Sequence, residues 1–361
     1  MNYKRLLFLW LVIVMFSGGV WGQEYSRSFV KEYKVSGKST VEVYNKYGKV
    51  HVVTWNKDSV RFEVELRVSA TDQKKLDKLK SNIDFDFVST NYYVIARTEF
   101  TKSGGIFSDM VETIIPSNNV SIDYVVYLPS NTNLKLENKF GDIYVDDFNG
   151  NLDLFLSNGA LKANKLVGNI NIQLNSADAM VNEVKSGVIN LRYSDIEIRH
   201  ANKLDFDTKF SKVNVDNAKQ LKINSRRDSY QIREVGILSG KGDFTKMNIE
   251  RLTSNLNFSN KYYSLTVEEI NPKFNIINIS SELTDVELYF TRETSYSLDI
   301  THHPDVFLSY PKEKSKLETK ELNDEDKLLL TYGTIGNSKQ PNLPKVKIFA
   351  NKKCFINLRQ R

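Results

Sequence analysis

Two aspartates are the strongest candidates for chemistry in this sequence. Asp178 and Asp195 lie one period apart in the repeat described below, so they occupy equivalent positions of neighbouring units. Side chains at such positions lie about 5 Å apart, a separation typical of the two carboxyl groups of a retaining glycosidase. The same column also holds Lys212 and Ser229, and units this short leave no room for the long loops that complete a catalytic site. We therefore interpret these aspartates as turn residues and predict no catalytic residue.

A column of aromatic residues is the second candidate. Five rings recur at one position of the repeat: Phe140, Tyr193, Phe210, Phe244 and Tyr262. Rings aligned along one face could stack on sugars and so form a ligand face. Phenylalanine more often packs inward, so inward packing is the preferred interpretation and the ligand face is the alternative.

The histidines and the cysteine predict neither a metal site nor a cofactor. His302 and His303 are adjacent and lack the spacing of metal ligands, and His51 and His200 fall on outward positions of separate units. Cys354 is the single cysteine. It falls on a predicted strand, where a small buried side chain is expected.

The charge balance argues against nucleic acid as a partner. The 361 residues contain 50 Lys and Arg against 44 Asp and Glu, a net charge of +6. This excess is small, and acidic residues are interleaved with the basic ones, whereas a nucleic-acid-binding domain concentrates its basic residues on one face.

A regular repeat of 17 or 18 residues organises the middle of the chain. Its reference column is apolar throughout: Ile143, Leu161, Ala179, Ile196, Val213, Tyr230, Met247 and Leu265. Four further apolar columns accompany it, and apolar residues two positions apart indicate strands with one buried face. One unit cannot bury this face alone, but stacked units can. The pattern predicts an all-β fold, a single-stranded β-solenoid (β-helix) with 17–18-residue coils. Strand twist and the lack of a six-residue period favour a right-handed one.

The start of the chain resembles a secretory signal peptide, residues 1–22. A positive pair, Lys4 and Arg5, precedes an apolar run from Leu6 to Phe16 that is too short to span a bilayer. No cysteine follows this run, so a lipoprotein is not expected. No second long apolar run occurs, so no transmembrane segment is expected in the mature chain.

The remaining chain divides into three predicted parts. Residues 23–130 hold a first coil and a strand-rich capping insertion with one short helix at Asp72–Lys80. Residues 131–300 hold the β-solenoid repeats, and residues 301–361 hold a charged loop and capping strands. Those last strands, which we expect to cover the final coil, are Leu328–Tyr332, Val346–Phe349 and Cys354–Leu358.

Several coils resemble a known exported family. Glu137–Val145 reads ENKFGDIYV, Asn158–Ala163 reads NGALKA, and Asn45–Val52 reads NKYGKVHV. These stretches resemble the bacterial "putative adhesin" β-solenoid domain family, whose coils repeat an Asn-x-x-Gly-Asp-Ile-x-Val-like phrase. The resemblance covers most of residues 38–300. It implies a β-solenoid outside the cytoplasm, of unknown function and without catalytic residues to carry over.

The sequence therefore predicts an exported, non-enzymatic, adhesin-like β-solenoid that binds or scaffolds in the cell envelope. The expected partner is a glycan or a cell-envelope protein, and the expected location is the periplasm or the cell surface. Two alternatives stay open. One is a carbohydrate-active β-helix enzyme, a polysaccharide lyase or hydrolase that uses Asp178 and Asp195. The other is a periplasmic structural or signalling accessory.

Overall fold

The computed structural model shows a protein built almost entirely of β-strands, most of them paired in parallel. It describes residues 22–36, 39–100, 119–323, 327–337 and 342–361. The predicted signal peptide, apart from Gly22, lies outside these residues. Within the described ranges, no helix is long and apolar enough to cross a membrane. The predicted all-β class is confirmed.

The N-terminal part places extra strands beside the first predicted coil. Its elements are β1 (Gln23–Lys34), β2 (Thr40–Lys46), β3 (Val50–Trp55), β4 (Ser59–Ala70), α1 (Gln73–Ser81), β5 (Ile83–Ser89), β6 (Tyr93–Phe100) and β7 (Val120–Pro129). Strands β2 and β3 pair in parallel with the first repeat strands, as in Val41 with Leu134 and Val50 with Ile143. On their other side they pair with β6 and β7, and β4 pairs antiparallel with both β1 and β7. The insertion thus extends the stack beyond the first coil.

The short helix α1 forms where the sequence predicts it. The Asp72 carboxylate accepts a hydrogen bond from the Lys75 backbone N–H at 2.8 Å, which caps the first turn. This hydrogen bond holds the pKa of Asp72 below its usual range. Leu76 is the buried residue of the helix and anchors it to the neighbouring strands.

The repeats stack in parallel with a regular register. Their strands are β8 (Asn133–Lys139), β9 (Ile143–Val145), β10 (Leu152–Ser157), β11 (Ala160–Asn175), β12 (Asp178–Arg192), β13 (Asp195–Lys209), β14 (Lys212–Arg226), β15 (Ser229–Ile270) and β16 (Ile276–Phe290). Ile143 pairs with Leu161, Leu161 with Ala179, and Ala179 with Ile196. Every residue of the reference column is buried, because each unit covers the apolar face of the next.

The C-terminal strands lie against the coil that contains β16, and two of them are inserted into the stack instead of ending it. Their bounds are β17 (Tyr296–His302), β18 (Phe307–Ser309), β19 (Ser315–Asn323), β20 (Leu328–Ile335), β21 (Lys345–Asn351) and β22 (Phe355–Gln360), with a 3-10 turn at Lys312–Lys314. Strands β21 and β22 lie inside the stack, between β16 on one side and β17 and β18 on the other. Val346 therefore pairs with both Ile277 and Leu298. Strand β20, paired antiparallel with β17 and β19, lies beyond them.

Candidate functional site

One residue of each repeat unit adopts a left-handed backbone, and together these residues form the corner column. Its members, with φ between 52° and 64°, are Tyr47, Phe140, Asn158, Ser176, Tyr193, Phe210, Arg227, Phe244 and Tyr262. From Tyr47 to Arg227, the backbone N–H of each corner residue donates to a carbonyl of the next unit. For example, Tyr193 donates to Lys209 at 3.0 Å and Phe210 to Arg226 at 3.2 Å. The same turn geometry therefore recurs in successive units along the stack.

The residue after each corner packs closely against its equivalent in the neighbouring unit. A Cβ atom on Gly141 would lie 1.9 Å from the Gly48 carbonyl oxygen, so a side chain has no space there. Later units replace glycine with a polar side chain that accepts a hydrogen bond. The Ser194 N–H donates to Ser211 Oγ at 3.2 Å, and the Ser211 N–H donates to Asp228 Oδ1 at 2.7 Å. The loss of glycine in later coils is thus compensated by a new hydrogen bond.

Asp228 is a buried carboxylate at the centre of this corner. Besides Ser211, its donors are the Arg226 N–H at 2.8 Å, Thr208 Oγ1 at 2.6 Å and Ser225 Oγ at 2.7 Å. Four donors replace the water that burial removes from the carboxylate. Small polar residues therefore fill the interior of the corner.

Five of the six rings of the corner column point towards solvent, whereas the sixth, Tyr47, is buried. Tyr193 is 62 % exposed, and the exposed fractions of Phe140, Phe210, Phe244 and Tyr262 lie between 36 % and 41 %. The prediction that these rings pack inward is wrong. Thr208 and Ser211, on either side of Phe210 in the chain, are the buried residues, and their hydrogen-bond network occupies the space that a ring would need.

The exposed rings stack along the axis of the repeat. Tyr193 and Phe210 have ring centroids 4.9 Å apart with 2° between the ring planes, and Phe244 and Tyr262 have centroids 4.4 Å apart with 10°. Arg227 joins the two pairs, because its guanidinium lies 5.4 Å from the Phe210 centroid and 5.6 Å from the Phe244 centroid. The faces of Phe210 and Phe244 are covered on both sides. From Tyr193 to Tyr262, the corner column therefore exposes mainly the edges of its rings and the guanidinium of Arg227.

Sequence reasoning overlooked two properties of this column. It did not include Arg227 in the aromatic column, whereas the Arg227 guanidinium completes the stack. It also overlooked the left-handed backbone, although Asn158 in the same column is a signal for it, since asparagine tolerates that conformation better than most residues.

The structure places Asp178 and Asp195 side by side, as predicted, since they pair in register. Asp195 accepts a hydrogen bond from the Lys212 N–H at 3.2 Å, and Lys212 Nζ lies 3.6 Å from the same carboxylate. Asp142, in the same column, accepts from the Ala160 N–H at 2.9 Å. The carboxylates of Asp142 and Asp195 thus each tie one unit to the next one.

The histidines and the cysteine occupy separate places. His302 is buried, with Nε2 3.0 Å from Thr331 Oγ1, while His303 Nδ1 lies 2.6 Å from an Asp305 carboxylate oxygen. Cys354 is buried, as predicted. No group of three or more His, Cys, Asp or Glu residues within the described part of the chain could hold a metal ion.

No protein-family model and no curated protein matches the chain. Among solved structures, it is similar to a "putative cell adhesion protein" from Clostridium sporogenes, at 12 % identity and a TM-score of 0.22, covering 93 % of this chain and 100 % of that one. It is also similar to a "putative adhesin" from Parabacteroides distasonis, at 14 % identity and a TM-score of 0.35, covering 73 % of this chain and 93 % of that one. A third similar structure is a "putative adhesin" from Bacteroides fragilis, at 13 % identity and a TM-score of 0.32, covering 73 % of this chain and 97 % of that one. These three solved structures carry adhesion or adhesin names, at similarities too low to support an argument about the fold or function of this chain.

Proposed function

We propose that this chain is an exported, non-enzymatic protein of the cell envelope that binds a partner protein through its corner column. The observation that carries the proposal is the pairing of exposed rings with a left-handed backbone. That conformation costs a non-glycine residue about 1–2 kcal/mol, and glycine or asparagine would avoid most of the cost. Rings at Tyr193, Phe210, Phe244 and Tyr262 are therefore better explained by a surface role than by the needs of the turn.

The chemistry of the column favours a protein partner over a glycan. Sugars stack on open ring faces, but the faces of Phe210 and Phe244 are covered by Tyr193, Arg227 and Tyr262. Aromatic residues and arginine are enriched at protein–protein interfaces and supply most of their hot spots. The row of ring edges with a central guanidinium has this composition.

The proposal includes the architecture and the location. The 17- and 18-residue register supports a single-stranded, right-handed β-solenoid over residues 131–300. We place a capping region at residues 23–130 and a C-terminal part at residues 301–361. The apolar run of residues 1–22 supports export to the periplasm or the cell surface.

A binding measurement with a triple variant tests the proposal. Tyr193→Asn, Phe210→Asn and Phe244→Asn together copy the natural Asn158 of the same column, so the turn should form normally. We expect detergent-extracted envelope proteins of the producing cell to bind the immobilised native protein saturably, and the triple variant to lose at least about tenfold in affinity. The control is Tyr92→Asn, which removes a 77 % exposed ring outside the column.

Several results would overturn the proposal. Equal binding by the native protein and the triple variant would exclude the corner column. Column-dependent binding to purified glycans but to no protein would exclude a protein partner. Turnover of a polysaccharide that disappears in Asp178→Asn with Asp195→Asn would establish the enzyme instead. Protease treatment of intact cells separates a surface protein, which is cleaved, from a periplasmic accessory, which is spared.

A further inference from the structure

The C-terminal strands form an open groove of about 760 Å³ on one outer face of the stack. It crosses six neighbouring strand layers, and its lining includes Asn257, Asn278, Lys347, Phe349, Asp299 and Tyr332. Two rows of side chains cross it. In one, Asn278, Lys347 and Asp299 are register partners, and in the other, Ser280, Phe349 and Thr301 are. The insertion of β21 between β16 and β17 creates both rows.

Phe349 is the exposed aromatic residue at the centre of this groove. Its side chain is 43 % exposed, and its register partners on both sides, Ser280 and Thr301, are small. Within the described ranges, no ring and no cation is stacked on it, in contrast to Phe210 and Phe244 in the corner column. Its ring faces are therefore available to a ligand.

Four polar side chains of the groove lack partners in the described part of the protein, whereas the Tyr332 hydroxyl donates to Glu318. No side-chain hydrogen bond or ion pair there involves Asn257, Asn278, Asp299 or Lys347. Elsewhere in the same two rows, asparagine does find a partner. Asn171 donates to Asp153 at 2.8 Å, and Asn224 donates to Asp207 at 2.7 Å. The groove thus offers a concentration of free donors and acceptors around an open ring.

We propose that this groove binds a neutral oligosaccharide. The C–H face of a sugar ring packs on Phe349, and its hydroxyl groups exchange hydrogen bonds with Asn257, Asn278 and Asp299. One Lys and one Asp give the lining no net charge, which fits an uncharged ligand. Strand layers repeat every ~4.8 Å, close to the length of one pyranose unit, so successive layers can contact successive sugars.

Other ligand classes fit the groove less well. A peptide that adds to a sheet needs a free strand edge, but the strands under the groove are paired on both sides. A nucleic acid or an anionic glycan needs an excess of cations, and Lys347 is balanced by Asp299. The groove is separate from the corner column, so this inference does not depend on the proposed function.

Titration of the mature chain, residues 23–361, with defined neutral hexasaccharides tests the inference. Cellohexaose, laminarihexaose, mannohexaose and chitohexaose are compared by calorimetry. We expect at least one to bind with a Kd below about 1 mM, and Phe349→Thr, which copies the neighbouring Thr301, to weaken that binding at least tenfold. Asn278→Ala should weaken it less. The matched control is Phe155→Thr, because Phe155 lies in the same row as Phe349 but far along the stack, and this variant should bind normally.

The readouts separate this inference from the proposed function. The triple corner variant should keep full affinity for the saccharide, while Phe349→Thr should keep its protein partner. The saccharide inference is refuted if none of the four hexasaccharides binds, if Phe349→Thr binds like the native chain, or if Phe155→Thr loses as much affinity as Phe349→Thr. Matching urea midpoints for the variants and the native protein exclude unfolding as the cause of any loss.

Discussion

Tyr193 and Phe210 stack in parallel across neighbouring repeat units, with centroids 4.9 Å apart, although both residues hold a left-handed backbone with φ of 53°. The stack contributes about 0.5–1.5 kcal/mol and the left-handed conformation costs about 1–2 kcal/mol. Because both residues pay this cost and share one stack, the stack does not outweigh the backbone cost, and the rings add little to the stability of the fold.

Phe210→Gly should therefore leave the free energy of unfolding within about 1 kcal/mol of the native value. Glycine removes the stacking partner of Tyr193, but it also removes the strain of a left-handed backbone at a residue with a side chain. Urea denaturation monitored by circular dichroism measures the change. A loss above about 2 kcal/mol would show that the ring stabilises the corner, and it would weaken the argument for a surface role.

Gly141→Ala should destabilise the protein by about 2 kcal/mol or more, because the new Cβ would lie 1.9 Å from the Gly48 carbonyl oxygen and the layers would have to separate. The matched comparison is Ser194→Ala at the equivalent position of a later unit. That site already holds a Cβ, so only the two hydrogen bonds of the Ser194 hydroxyl are lost, one from the Ala177 N–H and one to the Arg192 carbonyl, at about 1–2 kcal/mol in total. Equal effects of the two substitutions on the urea midpoint would contradict the close contact at Gly141.

Asp228→Ala should destabilise the protein by about 3 kcal/mol or more, since it removes a buried acceptor that serves four hydrogen bonds at once. Asp228→Ser copies Ser211 of the preceding unit and keeps one acceptor, so its loss should be clearly smaller. Thermal and urea unfolding of the two variants measure the difference. The same loss in both would mean that the carboxylate is not the organising acceptor of this corner.

A chain that ends at residue 342 should lose cooperative unfolding in its C-terminal half. It lacks β21 and β22, and so leaves the layers of β16 and β17 without the strands between them. A synthetic peptide of residues 343–361 added in trans should restore the transition, because it pairs on both sides. Unfolding of the shortened chain at the native urea midpoint would argue against an inserted position for these strands.

The Arg192–Asp207 pair predicts a specific pH dependence. Burial acts to raise the pKa of Asp207, but hydrogen bonds from Arg192 at 2.5 Å and from Asn224 hold it below its usual range. The pair therefore stabilises the fold above the ordinary aspartate pKa of about 4, and this contribution disappears as the pH falls through the lowered value. Because both side chains are more than a third exposed, the effect at pH 7 should be below about 1 kcal/mol.

Unfolding free energies between pH 2 and pH 7 check this dependence. The native protein should lose stability more steeply than Asp207→Asn as the pH falls below about 4. Parallel curves for the two proteins would show that the carboxylate titrates normally.

The sequence by itself determined the core of the repeats. Leu161, Ile196 and Val213 are buried as predicted, since one local pattern with a period of 17 or 18 recurs in each unit and each copy faces the same neighbour. The adjacency of Asp178 and Asp195 follows from the same period. The position of the short helix also follows from the local sequence, since the predicted helix Asp72–Lys80 and the observed helix Gln73–Ser81 agree within one residue.

Only the tertiary structure decided the orientation of the rings and the order of the last layers. Phe210 points outward because Thr208, Ser211 and Asp228 fill the corner with hydrogen bonds, an arrangement that involves neighbouring units and leaves no local pattern in one of them. Val346 pairs with both Ile277 and Leu298 because β21 enters the stack between strands that precede it by many residues. The alternation of apolar and polar residues in β21 would fit the face of any layer of the stack. The choice among layers depends on which exposed edges the rest of the chain leaves to be covered, and periodicity carries no information about that choice.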